Sequence, residues 1–143
     1  MANHTEQERV VQRFLDIMRS RNLALLSEVF APKAPWWVSG NPQYNPIAGI
    51  QPWEARTKEF NQLITTFDNF QVTLERLTIQ DNTVVAEISP VGTSEGKPSY
   101  ENHMGCIFEV ENGKVIGVKE YVDLDTVAKY FEDLEKVKLG EKR

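Results

Sequence analysis

Three polar side chains gather at the open end of a hairpin written into residues 100–123, YENHMGCIFEVENGKVIGVKEYVD. Asn112-Gly113 stands between two runs of strand-forming residues, a strong local signal for a tight two-residue turn. With Glu111 and Lys114 flanking that turn, strict alternation pairs Cys106 with Lys119, Met104 with Tyr121, and Asn102 with Asp123. Directly opposed side chains share a face of the sheet. This face is apolar near the turn and gains Asn102, Tyr121 and Asp123 at the other end. A carboxylate on an otherwise apolar face is costly unless it is paired or used. The chemistry it suits is proton transfer, because desolvation raises a carboxyl pKa toward neutrality. Asp123 is then the acid/base, Asn102 orients it or the substrate, and Tyr121 donates to a developing oxyanion. The same position also suits a structural role, since Asp is a favoured N-cap for a helix beginning near Leu124.

Other candidates flank this group. In Thr83–Val91, Val84, Ala86 and Ile88 occupy one face and Val85, Glu87 and Ser89 the other. Alternation alone turns Glu87 to solvent; facing inward it would be a second acid/base. Pro35–Gly40 is a short aromatic strand with faces Trp36/Val38 and Trp37/Ser39. One tryptophan in the core and one over an edge accounts for the pattern. The functional reading instead puts Trp37 and Ser39 in a pocket wall, with Tyr44, the one large side chain of the Asn41–Gly49 loop, at its mouth. Tyr100, Met104 and Phe108 share the hairpin face and would supply apolar contacts. His103 has the opposite parity from Asn102 and is placed outside.

Composition narrows the classes. The chain has 143 residues, the usual size of one domain with a real core. Hydrophobic residues make up 41% and charged residues 26%, which reads as globular. Net charge is −5 with scattered basic residues, so nucleic-acid binding is disfavoured. The N-terminus is polar and no apolar run reaches membrane-spanning length, so neither a signal peptide nor a membrane anchor is read and a cytoplasmic protein is expected. Asn3-His4-Thr5 fits a glycosylation sequon, which without a secretory signal is read as chance. Cys106 is the single cysteine, which excludes an internal disulfide, and its strand context favours a buried thiol. His4 and His103 are the only histidines, so no zinc site, other metal or cofactor is expected.

The elements that position these residues follow from spacing. Thr5 and Glu8 form a capping box for an amphipathic helix over 6–20. Leu23–Phe30 reads as a second helix, stopped by Pro32. Phe60, Leu63, Ile64 and Phe67 mark a helix over 52–67. Phe70, Val72 and Leu74 alternate, then Leu77 and Ile79 take the opposite parity, so a β-bulge at Glu75-Arg76 bends this strand. A polar loop, Gly92–Pro98, precedes the hairpin. Leu124, Val127, Phe131 and Leu134 give a helix over 124–136, followed by a frayed tail at 140–143. The plan is α+β: a bent antiparallel sheet with helices packed on one face, enclosing a space.

With these elements in place, residues 6–131 resemble the SnoaL-like branch of the nuclear-transport-factor-2-like superfamily. The segment Val84–Asp123 carries the resemblance through Glu87, Tyr100 and Asn102, Phe108, Gly113-Lys114, and Glu120-Tyr121-Val122-Asp123. Trp37-Val38-Ser39-Gly40, Pro46 and Gly49 fit the family's first strand and following loop. The resemblance implies one domain over 1–143, a cone-shaped cavity and a homodimer through the sheet face. It does not choose an activity, because the fold hosts cyclases, isomerases, epoxide hydrolases, dehydratases and non-catalytic proteins. Ketosteroid isomerases place a base near the first strand and loop, yet residues 36–49 hold no Asp or Glu. The Asp-Arg-Asp of limonene-epoxide hydrolase has its last member at Asp123, but its Arg-x-Asp pair falls near Glu87-Ile88-Ser89, without the arginine.

The functional expectation is a cofactor-independent acid/base enzyme acting on an apolar small molecule of polyketide or terpenoid type. The alternative is a non-catalytic small-molecule binding or protein-interaction module. Assembly has its own sequence signal: Ile107, Ile116, Val118 and Val122 form an apolar cluster on the outward face under strict alternation, where exposed patches mark interfaces.

Overall fold

The computed structural model describes residues 5–141. The Asn3-His4-Thr5 sequon, the side chain of the Thr5 cap and the end of the 140–143 tail lie outside the described residues. Helix α1 spans Thr5–Ser20 and buries Val10, Val11, Phe14, Leu15 and Ile17 on one stripe, as the helical period requires. Leu23–Glu28 is a 3₁₀ turn, not the α-helix expected over Leu23–Phe30. The chain leaves it early because Val29 and Ala31 exchange backbone hydrogen bonds with Val115 at 2.8 and 2.9 Å. A sheet partner outcompetes another helical turn.

Two short strands follow, β1 (Pro35–Val38) and β2 (Gly49–Pro52), then helix α2 (Trp53–Ile64). Strand β2 bridges the end of the expected loop at Gly49 and the expected helix start at 52, and it went unread because none of its residues is buried. It exists through backbone pairing with β1 alone, which leaves no apolar alternation to read. The long strands are β3 (Asn69–Gln80), β4 (Thr83–Thr93), β6 (Met104–Glu111) and β7 (Lys114–Val122), with a two-residue strand, β5 (Tyr100–Glu101), before β6. Helix α3 closes the chain over Leu124–Glu141, past the expected end at 136. The ion pair Lys138–Glu135, at helical spacing, reaches into the added turn, next to Lys136–Glu132.

The sheet order is β2-β1-β7-β6-β4-β3, with β5 paired to β4. Strand β1 runs parallel to β7, which corrects the expectation of a wholly antiparallel sheet. Its long connection to β7 passes through α2 and the β3–β6 strands, and a parallel pairing needs such a crossover. Register along β3–β4 shifts between Leu74 and Arg76, at the parity change in the sequence, and the sheet bends there. The result is an unclosed cone with helices on its concave side. Gly92 marks a close approach within it, since a Cβ there would sit 2.5 Å from the Phe67 ring.

The β6–β7 hairpin turns as expected and then departs from strict alternation. Asn112 and Gly113 both adopt positive φ, 52° and 74°, the twist a two-residue hairpin needs. Glu111 pairs with Lys114 and Val110 with Val115, but Glu109 pairs with Gly117. Ile116 is the extra residue of a β-bulge. Beyond it every face on β7 is exchanged: Phe108 opposes Val118, Cys106 opposes Glu120, and Gly105 opposes Tyr121. Val118 and Val122 therefore face inward, correcting the outward apolar cluster expected from alternation; Ile107 remains on the outer face beside Lys119.

Candidate active site

Because of the Ile116 bulge, the carboxyl delivered to the concave face is Glu120. It is 1% exposed, though charged side chains are almost never fully buried without a partner. Its Oε1 accepts a hydrogen bond from the Trp36 indole N–H at 3.1 Å. The remaining boundary is an apolar cavity between the sheet and the helices with ≈ 80 Å³ of free space. Phe14 and Met18 come from α1, Phe60 from α2, Tyr100 and Met104 from the sheet, and Phe131 from α3. Burial pushes the Glu120 pKa up to about 7, against the Trp36 hydrogen bond and the Arg56 charge, which favour the ionised form, and with the like charge of Glu59. Desolvation of the charged form wins. A carboxyl poised there both donates and accepts protons at neutral pH.

Helix α2 supplies the rest of the polar end. Arg56 is 0% exposed. Its Nη1 donates to the Ile47 carbonyl at 2.6 Å and to Glu59 at 2.7 Å. Its Nη2 donates to the carbonyls of Gly49 at 2.6 Å and Trp36 at 3.2 Å. Glu59 also lines the cavity and accepts from Gln51 Nε2 at 2.7 Å. Cys106 lies across from Glu120, and burial raises its thiol pKa well above the usual value. That argues against a thiolate nucleophile. Among the described residues no group of three or more His, Cys, Asp or Glu is placed to hold a metal ion.

The structure separates the residues grouped in the sequence. Tyr100 and Met104 line the cavity, and burial pushes the Tyr100 hydroxyl up to about 12. Asn102 is buried, but its side chain is consumed locally. Its Nδ2 donates to Tyr100 Oη at 2.9 Å and to the Asp123 carbonyl at 3.0 Å, while its Oδ1 accepts from the His103 amide at 2.8 Å. Phe108 is wholly in the core, 5.0 Å from the Phe14 ring. Tyr121, expected on the inner face, is on the outer one and half exposed, because the bulge reverses its parity. Asp123 is an exposed N-cap of α3: Oδ1 accepts from the Asp125 amide at 3.1 Å and Oδ2 from Thr126 Oγ1 at 2.6 Å. These bonds, led by the Thr126 hydroxyl, lower its pKa.

The remaining candidates also lie away from the cavity. Trp37 packs edge-to-face on Tyr121 at 5.2 Å on the outer face, since its neighbour Trp36 takes the inner one. Ser39 Oγ accepts from the Val122 amide at 3.3 Å. Tyr44 is 81% exposed, so the loop turns it to solvent rather than over a mouth. Glu87 points outward and pairs with Arg76 at 2.5 Å. His103 is exposed, with Nδ1 3.0 Å from Ser89 Oγ.

Four residues of the site went unselected in the sequence: Glu120, Trp36, Arg56 and Glu59. A signal for Glu120 was present. Val115 and Val118 cannot share a face by alternation, and an outward Val118/Val122 pair would lie uncovered; a bulge resolves both. Arg56 and Glu59 carried none, because an Arg and a Glu three apart on an amphipathic helix read as a surface ion pair.

Residues 11–118 match the SnoaL-like domain family, and the chain belongs to that family. Solved structures agree on the fold. AusH from Aspergillus nidulans superposes with a TM-score of 0.71 at 19% identity, over 86% of this chain and 87% of that one. An LEH-like epoxide hydrolase from M. tuberculosis gives 0.62 at 17% identity, over 94% and 93%. Among curated proteins, UPF0523 protein B of Dictyostelium discoideum is 32% identical over 93 residues, 62% of this chain and 56% of that relative. The chain thus spans little more than half the length of that relative. No helix among the described residues is long and apolar enough to cross a membrane.

Proposed function

We propose that this protein is a cofactor-independent acid/base enzyme, an isomerase, cyclase or dehydratase acting on an apolar small molecule of polyketide or terpenoid type. Glu120 is the proton-transfer group. The observation that carries the reading is one wholly buried carboxyl, with a pKa raised to about 7, on the wall of an apolar cavity. Structural carboxylates are normally paired with a cation at close range; this one meets a single neutral indole donor. In such a site the protonated form donates to a ligand oxygen, and the ionised form removes a proton from an adjacent carbon. Trp36 holds the unused oxygen, and Tyr100 and Met104 give the ligand apolar contact.

The test is proton exchange with solvent. Apolar enolisable ketones incubated with the protein in D₂O should gain deuterium at the α-carbon, read by mass spectrometry. Glu120→Gln should slow the exchange by ~10²-fold or more. Full exchange in that variant would remove Glu120 from the mechanism. The small free space, ≈ 80 Å³, favours a second reading, a non-catalytic binding module for compact apolar ligands. Saturable binding without exchange across the panel would select it. In either case we read residues 1–143 as one domain that pairs as a homodimer through the outer sheet face, where exposed Ile50 and Tyr121 flank the half-buried Trp37. A monomeric mass at micromolar concentration would count against that pairing.

A further inference from the structure

We infer that Arg56 is the positioning residue of this site: by fastening β1, the 45–49 loop and Glu59 to one buried guanidinium, it fixes the Trp36 indole N–H on Glu120 and thereby how tightly Glu120 holds its proton. The inference rests on the reading of Glu120 as the proton-transfer group.

The connection is short and continuous. Arg56 Nη2 donates to the Trp36 carbonyl at 3.2 Å, and the same residue's indole Nε1 donates to Glu120 at 3.1 Å. The other bonds of the fork reach Ile47, near the end of the loop between β1 and β2, and Gly49, the first residue of β2. Glu59, held by both Arg56 and Gln51, leaves the guanidinium little rotational freedom. A planar fork serves carbonyls and a carboxylate at once; a lysine ammonium cannot keep that geometry. Arg56 thus acts on Glu120 in two ways, as a nearby cation and through the indole it holds in place.

The groups that face Glu120 are few. Cys106 comes from β6, Tyr100 from β5, and Arg56 and Glu59 from α2, while α1 and α3 bring only apolar side chains to the cavity, such as Phe14 and Phe131. The α2 pair therefore provides the charges that bear on Glu120. Arg56 favours its ionised form and Glu59 disfavours it. Shifting the balance between these two should shift the Glu120 titration, in opposite directions for the two residues.

Carboxyl titration by NMR on protein labelled at Glu Cδ tests this without any substrate. The resonance missing in Glu120→Gln identifies Glu120, and its midpoint in the native protein should lie near about 7. Arg56→Met should raise that midpoint by about one unit or more, and Arg56→Lys by less, through loss of the fork alone. Glu59→Gln should lower it. In all three, the Trp36 indole N–H resonance should follow the Glu120 titration less closely than in the native protein. Arg76→Met, on the outer face, should leave the midpoint in place. A purely structural Arg56 would lower Tm and leave the midpoint unmoved, and that result overturns the inference. If neither Arg56 variant folds, Glu59→Gln decides alone, and an unchanged midpoint there is equally fatal. The outcome is independent of catalysis: Glu120→Gln with undiminished deuterium exchange would refute the enzyme reading and leave these midpoints as measured.

Discussion

Glu120, near the end of β7, and Asp123, the residue just past it, stand three apart, yet their surroundings push them in opposite directions. Glu120 faces the cavity with one indole donor, and burial raises its pKa to about 7. Asp123 stands outside at the start of α3, where Thr126 and Asp125 donate to it and lower its pKa. Residue type and sequence neighbourhood are nearly the same. The difference is one extra residue at Ile116, which exchanges the two faces of β7 before either carboxylate is reached. Trp36 and Trp37 repeat the lesson on β1: adjacent indoles, one 1% exposed against Phe14 and Phe30, the other outside on Tyr121.

Changing the residue count of β7 is the most direct way to break the contrast. Deleting Lys119, beyond the bulge, turns Glu120 and Val122 outward and Tyr121 into the core, whereas deleting Ile116 leaves Gly117 opposite Glu109 and the later faces in place. The first exchange should exceed the ~5 kcal/mol that marks the severe end of single changes, so circular dichroism should show no cooperative unfolding for it, while the Ile116 deletion should still melt cooperatively. The tryptophans come next. Trp36→Ala should cost ~3–5 kcal/mol in a urea melt, as for other emptied aromatic core sites, and Trp37→Ala much less. Equal losses would mean that the two faces are not distinct.

The carboxylates themselves give smaller effects. Glu120 holds its proton more tightly folded, with a pKa near about 7, than unfolded, near 4.5. Between those values the native state binds the proton and the unfolded chain releases it, so stability through this group falls as pH rises across the window. Above it, the cost is complete. Glu120→Gln keeps the acceptor for Trp36 without the charge. It should stabilise the protein by on the order of 2–3 kcal/mol at pH 8 and by little at pH 4. A gain independent of pH would mean that desolvation is not what raises this group. Asp123 gives the smallest effect and the opposite sign: Asp123→Ala should lower Tm by about 3 °C through loss of the cap, while Asp123→Asn should melt almost normally. Neither change at Asp123 should alter deuterium exchange.

Local sequence determined most of the architecture here. The stripe of α1, the Asn112-Gly113 turn and the bend at Leu74–Arg76 are each encoded locally, where periodicity and turn chemistry act directly, and the order of such elements gives the α+β plan. The apolar end of the cavity was legible for the same reason, since Tyr100 and Met104 have one parity and share a face of the sheet. Its chemistry was decided elsewhere. A bulge needs a partner strand to define it, and from Ile116 onward a shift of one residue exchanges every side chain between core and solvent. Arg56 reads as a surface residue until the 45–49 loop, β1 and Glu59 close around it and provide four acceptors at once. Tertiary structure alone chose Glu120 over Asp123, because burial and desolvation, which set a carboxyl's proton affinity, depend on contacts between segments far apart in the chain.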